Sequence, residues 1–426
     1  MAFNFGNFLS KIISIIYILL REFWWLIIPS ALFIYFIKIF KTYKTLTAKI
    51  DDDPLVFLEL KFSVDSFKQP VTSMKNFFEN LKNIKIKDGK KVIFEIFCFK
   101  NQLRYICITN SSLKDLIEVA FYSQYPDIKI NVALDYLSTL PPNIPNNNFD
   151  IWGEEYKLKE ENIYQLNVVK NDIVSEKDSK IIDPITILLE ATAKSDYQGM
   201  ILIQIVLSQL NDKQKDNYKL EGDNVINKLL GKPVVTNKSF RSEFLSAFIQ
   251  MMKEAAGVHD FLKFGESNGD KKEEKKEPSA EDKAKAETLK TKNNFGVFAV
   301  SLRSAYISPK ICTEKFVSSS VGMFIKQFAS SNNSFDTIPD KGTEYKVEGL
   351  IPKWLANFTK EQTELSMKKD LFQRILNRKL ENKIMILNSE ELATIYHFPF
   401  QKVSANALDY IKNKENAPPA NLPIVD

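Results

Sequence analysis

A chain of 426 residues with 44% hydrophobic residues has material for two ordinary globular domains plus linkers, which argues against a single small core. Charged residues make up 26% and the net charge is only +5, so the composition lacks the strongly basic balance of most nucleic-acid binders. Three cysteines without CxxC spacing (Cys98, Cys107, Cys312) and two histidines (His259, His397) argue against a disulfide framework or a zinc centre; the cysteines read as buried thiols in a reducing compartment.

Between residues 12 and 40 the only residues that are not large and apolar or Ala are Ser14, Arg21, Glu22, Pro29, Ser30 and Lys38. Residues 23–40 approach the ~20 residues that span a bilayer. Trp24 and Trp25 stand at one end as interfacial aromatics do, and Lys38, Lys41 and Lys44 collect at the other, the flank expected on the cytoplasmic side. The pattern predicts an N-terminal transmembrane helix in the bacterial inner membrane with the bulk of the chain cytoplasmic. Arg21 and Glu22 split the run, so residues 8–20 form a second short helix that lies in the interface or completes a hairpin.

After this anchor (1–45), residues 55–64 alternate like a half-buried strand. A helix opens at Pro70 with Val71, Met74, Phe77, Phe78 and Leu81 at helical spacing. Residues 92–99 and 103–109 read as a hairpin, residues 113–122 as a helix capped by Ser111 or Ser112, and 128–134 as a strand. The order β-α-β-β-α-β predicts a ferredoxin-like unit over 54–138, closed by the Pro- and Asn-rich stretch 140–148.

The same order is expected again over 150–380, from a strand at 163–169, a helix at 184–193, strands at 200–207 and 296–303, a helix at 311–329 and a last strand at 343–350. The fold class is therefore α+β: an anchor followed by two tandem ferredoxin-like units, the second with an insertion at 208–294. Within the insertion Phe244, Leu245, Phe248, Met251 and Met252 share a helical face expected to pack on its own domain. Residues 271–292 are almost all charged or small with one large apolar side chain, Leu289, so a disordered linker is expected at about 266–293. A helix at 369–380 follows. A closing strand and helix, 381–412, has Ser389 as cap and Pro399 as stop, and an extended tail runs over 413–426.

No catalytic constellation is evident. Gly231-Lys232 is followed by Pro233, and Ile226 stands where a phosphate-binding loop needs its first glycine. There is no GxSxG or HExxH, and Cys107 meets a histidine only if the fold brings His397 to it. The carboxylate pairs Glu154-Glu155, Glu160-Glu161 and Glu390-Glu391 read as solvent-facing, and Glu390 and Glu391 complement the positive end of the helix behind Ser389. No enzyme activity, cofactor, metal or catalytic residue is expected. An alternative reading is a membrane-bound single-stranded nucleic-acid binder whose central hairpin stacks bases on Phe97, Phe99 and Tyr105, although the glycine-rich aromatic signature of such sheets is missing.

The segment LNSEELATIYHFP at 387–399, with Ser389, Glu390, Glu391, His397 and Pro399, resembles the closing motif of bacterial membrane-associated regions found upstream of or beside conjugation-type DNA-pumping ATPases of the HerA, FtsK and TraG/TraD kind. WGEEYKLKEENIY from Trp152, Asp183-Pro184, ILIQIVL with Gln204, the charged linker and PPANLP follow in the same order. Gln165 stands where that family is expected to carry proline, and the chain stops at Asp426, where fused members continue into an ATPase core. The resemblance implies a non-catalytic scaffold of a type IV secretion or conjugation-like system. Its implied partners are the lipid bilayer, a HerA/TraG-like ATPase or other secretion subunits, and a second copy of the chain, with nucleic acid as a further candidate.

Overall fold

The computed structural model describes residues 29, 32, 35, 36, 53–62, 69–84, 86, 90–99, 102–169, 183–194, 199–233, 279–312, 315–344, 353–380 and 385–399. Pro29, Leu32, Tyr35 and Phe36 are helical and exposed; the rest of the expected anchor, including Trp24, Trp25, Lys38, Lys41 and Lys44, lies outside the described residues. No helix among the described residues is long and apolar enough to cross a membrane.

Among the described residues nine strands form one antiparallel sheet. β1 (Leu55–Lys61), β2 (Val92–Phe99), β3 (Gln102–Asn110) and β4 (Lys129–Ala133) make the first half, with α1 (Pro70–Asn83) and α2 (Lys114–Gln124) between them. The second half has β5 (Phe149–Leu158), α3 (Thr186–Lys194), β6 (Met200–Gln209), β7 (Val297–Pro309), α6 (Lys315–Lys326) and β8 (Phe335–Thr337). The strand order is β4-β1-β3-β2-β6-β7-β5-β8, and β9 (Met385–Asn388) pairs with the start of β7. The two halves thus have the same strand order in mirror sequence, joined by the ladder between their second strands, Val92↔Leu207 to Phe99↔Met200. Both joining strands are buried almost throughout, the signature of central rather than edge strands. Through that shared seam both halves belong to one unit, Leu55–Asp426.

Five of the described helices lie on one face. Met74, Phe77, Phe78 and Leu81 of α1, Phe121 of α2, Leu188 of α3, Phe324 of α6 and Leu392 of α8 (Ser389–Ile395) enter one apolar cluster with Phe94, Tyr105 and Ile203 of the sheet. The opposite face is covered by α7 (Lys353–Leu376), whose Leu371, Phe372 and Ile375 pack on Ile93, Leu202 and Ala305, and by Leu137 and Ile144 of the 136–145 segment. Within the insertion, α4 (Asp212–Leu229) pairs with α5 (Ala280–Asn294) around Tyr218, Ile226, Ala286 and Leu289.

Several expectations are corrected. The first strand of the second half is β5, not 163–169: the stretch FDIWGEEYKL points Gly153 and a buried Glu155 inward, so its apolar alternation is masked. Residues 163–169 instead run beside α8, where Leu166 N–H and Val169 N–H donate to the side chains of Glu391 and Thr394. The described strand that closes the second half is β8; of the expected strand 343–350 only residues 343–344 are described, outside any strand, and 345–350 lie outside the described residues. The helix expected at 369–380 begins at Lys353. Part of the supposed linker is α5, started by a capping box between Ser279 and Asp282. Ala286, Leu289 and Lys292 recur at helical spacing and are all buried, so a nearly apolar-free segment still docks. The linker residues 266–278 and the helical face of Phe244, Leu245, Phe248, Met251 and Met252 lie outside the described residues, as does the tail 413–426.

Close approach of α7 to β5 depends on Gly153. A Cβ there would stand 2.4 Å from the Ser304 carbonyl oxygen and 2.9 Å from Leu371 Cδ2. Gly153→Ala is therefore expected to destabilise the fold by about 2 kcal/mol or more, read from the denaturant midpoint; an unchanged midpoint would contradict the packing.

Candidate functional site: a buried charge row and the closing motif

Strand alternation sets register partners on the same face of a sheet. Glu59, Ile106, Glu95, Gln204, Arg303 and Glu155 are successive partners across β1, β3, β2, β6, β7 and β5, and so form one row beneath α7. Glu95 is fully buried; its carboxylate accepts from Gln204 Nε2 (2.8 Å), Arg378 Nε (3.1 Å) and the Tyr136 hydroxyl (2.8 Å). Arg303 donates through Nη1 to Gln204 Oε1 (3.1 Å) and through Nη2 to Glu155 Oε1 (3.1 Å). Arg374 Nε lies 3.2 Å from Glu155 Oε2, and Arg378 grips Asp135 with both terminal nitrogens at 3.0 and 2.8 Å. Three carboxylates (Glu95, Glu155, Asp135) meet three guanidinium groups, so buried charge is matched and hydrogen-bonded, the condition under which it is tolerated. The row crosses the β2–β6 seam and ties it to the end of α7.

The closing motif occupies the other face. Asn388, not Ser389, is the N-cap of α8: its side chain accepts from Glu391 N–H (2.8 Å) while Glu391 Oε2 accepts from Asn388 N–H (2.9 Å). This capping box holds Glu391 inward. Its Oε1 accepts from Leu166 N–H (2.9 Å) and from the Lys292 ammonium (3.0 Å), both side chains being fully buried. Lys292 spends its remaining hydrogens on the carbonyls of Asn162 (2.7 Å) and Tyr164 (3.0 Å). Burial lowers the Lys292 pKa from the ordinary lysine value, and the Glu391 charge opposes that shift. The reading of Glu391 as solvent-facing is thus overturned, as it is for Glu155. Glu390 is half-buried, 3.4 Å from the Lys75 ammonium and 3.3 Å from Gln165 Nε2, so the glutamine at the position where proline was expected joins the motif's own network.

Ser389 is buried, and its hydroxyl donates to Glu79 of α1 and to the Gly296 carbonyl. His397 has no exposed surface; Nδ1 lies 3.1 Å from the Ala393 carbonyl and Nε2 3.3 Å from Asp183 Oδ1. It meets this carboxylate rather than Cys107, whose thiol is pushed far up by burial and by Glu95. Pro399 is buried behind Phe398, which packs on Phe62, Tyr105 and Tyr125. The motif therefore stitches the start of β7 to α1 and to the sheet of the first half.

No protein-family model matches the chain, and no curated protein matches it either.

Other sequence candidates are dispersed. Phe97 and Phe99 lie on the α7 face, where the Phe97 ring packs at 4.2 Å against Tyr136 at a 33° tilt, whereas Tyr105 lies on the opposite face beneath Tyr396 and Phe398. The three aromatics do not form an open stacking surface. Gly231, at φ 64, caps the end of α4, with its N–H on the Lys228 carbonyl and Lys232 N–H on that of Asn227. Cys98 and Cys107 are buried and not disulfide-bonded, and the Cys312 side chain lies outside the described ones. Among the described residues no His, Cys, Asp or Glu cluster has metal-binding geometry.

Sequence reasoning passed over Glu95, Arg303, Arg374, Arg378 and Lys292. One signal marks the strand positions: a single charged or amide side chain inside a run otherwise apolar or hydroxyl-bearing, as in VIFEIFCF, MILIQIVL and VFAVSLRSAYISP. The Tyr105 hydroxyl is buried and has no hydrogen-bond partner among the described residues. Tyr105→Phe is accordingly expected to leave stability unchanged or to raise it by about 1 kcal/mol, and a loss of more than that would mean the hydroxyl has a partner.

Proposed function

We propose that the chain is a membrane-tethered, non-catalytic scaffold of a conjugation- or type IV secretion-like transfer system, holding a HerA/TraG-like ATPase at the cytoplasmic face of the inner membrane. In this reading the two halves of the sheet are tandem ferredoxin-like units, the second carrying the insertion, and residues 23–40 form the transmembrane anchor. The observation that carries it is the closing motif: Ser389, Glu391, His397 and Pro399 are buried and Glu390 half-buried, Ser389 and Glu390 reach Glu79 and Lys75 of the first half, and Glu391 holds Lys292 of the second. Such a motif makes a rigid body, which is what positioning a partner requires. A tether then raises the partner's local concentration without chemistry of its own.

The second helix of each half offers contact area. Leu116, Val119 and Tyr122 are exposed at three-residue spacing on α2, and Phe316 and Met323 are exposed on α6. Full-length chain co-expressed with an ATPase of this kind is expected in the membrane fraction after ultracentrifugation, and to retain the ATPase through detergent purification. A chain that stays in the supernatant overturns the tether, and a membrane-bound chain that never retains such an ATPase overturns the partner.

A further inference from the structure

A cavity of about 1080 Å³ opens between α4, α5, the end of α1 and the start of β7. Its volume is at the upper end of the ~300–1,000 Å³ typical of small-molecule sites. The floor is apolar, made by Leu210, Ile226, Leu230, Val297 and Phe298. The rim is cationic: Lys82, Lys215, Lys219, Lys232 and Lys290 line it, against one carboxylate, Asp223.

Some lysines elsewhere on this surface sit beside carboxylates, as in Lys75–Glu390, Lys114–Glu118 and Lys368–Asp150. Around the cavity only Lys215 does, with Asp212 at 3.8 Å; Lys82, Lys219, Lys232 and Lys290 have no ion pair among the described residues. Gathering unpaired like charges around one mouth raises the local potential and concentrates anions there. A second feature is independent of the lysines. Tyr218 lines the cavity at 5% exposure, and its hydroxyl has no hydrogen-bond partner among the described residues. Buried hydroxyls without partners are uncommon and call for an explanation. Burial and the nearby Glu391 and Glu221 hold this phenol protonated, so it is available as a neutral donor.

We propose that this cavity binds a small molecule that joins a phosphate group to an apolar or aromatic body, with the lysine rim receiving the phosphate and the Leu210–Phe298 floor receiving the body. The side-chain amides of Asn83, Asn224 and Asn227 add donors and acceptors at the mouth. A soluble nucleotide and a phospholipid headgroup with its acyl chains share this chemistry. The inference stands apart from the scaffold reading, since a cavity site serves a tethered or an untethered chain equally.

The test uses purified full-length chain and three probes in parallel titrations: inorganic phosphate, AMP, and dihexanoyl phosphatidic acid below its micellar concentration. Saturable binding of AMP or of the short-chain lipid is expected, tighter than that of inorganic phosphate and weakened by salt. Whichever probe wins identifies the source. Lys219→Met/Lys290→Met, at exposed positions with no fold role, is expected to weaken binding about tenfold or more, as loss of charge-assisted bonds does. Tyr218→Phe is expected to weaken it by several-fold while leaving the circular dichroism spectrum unchanged. Lys213→Met, on α4 but outside the cavity, serves as the control and should bind as the parent does. No saturable binding of AMP or lipid at millimolar concentration, binding no tighter than that of phosphate alone, or full retention of affinity in the double lysine variant would each overturn the proposal.

Discussion

Glu391→Ala is expected to lower the free energy of unfolding by about 3–5 kcal/mol, because it leaves the Lys292 ammonium buried without its counter-charge. The same change orphans the Leu166 and Asn388 amides. Chemical denaturation followed by circular dichroism measures it. Lys292→Met added to Glu391→Ala should recover part of the loss, since the uncompensated charge is then gone. A double variant no more stable than the single one would show that the pair's charges are not what matters.

The pH dependence has a defined sign. Lys292 already has a folded-state pKa below that of the unfolded chain, and Glu391 is the group that opposes the shift, so its removal depresses the folded value further. Between the depressed folded pKa and the ordinary lysine value of 10.5, the unfolded state binds more protons, and stability rises with pH. The Glu391→Ala deficit should therefore shrink as pH is raised toward 10. A deficit that grows over that window would contradict the assignment of Lys292 as the buried cation.

Arg378→Ala is expected to have a loss of similar size, about 3–5 kcal/mol, for the complementary reason. Arg378 is the cation shared by Glu95, at the β2–β6 seam, and Asp135, and its guanidinium also lies 4.8 Å from the Phe57 ring. Its backbone has φ 47, the left-handed region that ordinary side chains enter at a cost of roughly 1–2 kcal/mol. The helix end needs that turn, with Arg378 N–H on the Ile375 carbonyl and Lys379 N–H on that of Arg374. A glycine would usually stand there, and the ion pairs explain why an arginine does. Arg378→Gly should consequently be about 1 kcal/mol less damaging than Arg378→Ala, with the denaturant slope unchanged in both. An Arg378→Gly variant more stable than the parent would mean that the buried pairs contribute nothing net.

These two sites show where the sequence was legible. The helix at Pro70 and the hairpin of β2 and β3 could be read because apolar periodicity and turn residues act locally. β5 was missed because its inward positions carry Gly153 and Glu155, one with no side chain and one with a charge. The helical part of the charged linker was missed for a related reason. Composition counts Lys292 as solvated, while the fold supplies it with two carbonyls and a carboxylate from elements far away in sequence. The closing motif stood out as a string, yet its letters did not distinguish an exposed helix start from a buried junction.

What the sequence by itself determined is the local grammar: an apolar N-terminal run, a mixed α+β order with repeated connectivity, and caps and breaks near most helix ends. These follow from interactions within a few residues, where propensity and hydrophobic period are set by neighbours. Only the tertiary structure decided that the two halves share one sheet, that Glu95, Gln204, Arg303 and Glu155 fall in one row, and that Lys292 meets Glu391. Strand register and the burial of charge are properties of partners brought together across long separations, and a carboxylate reads the same in sequence whether water or a guanidinium surrounds it.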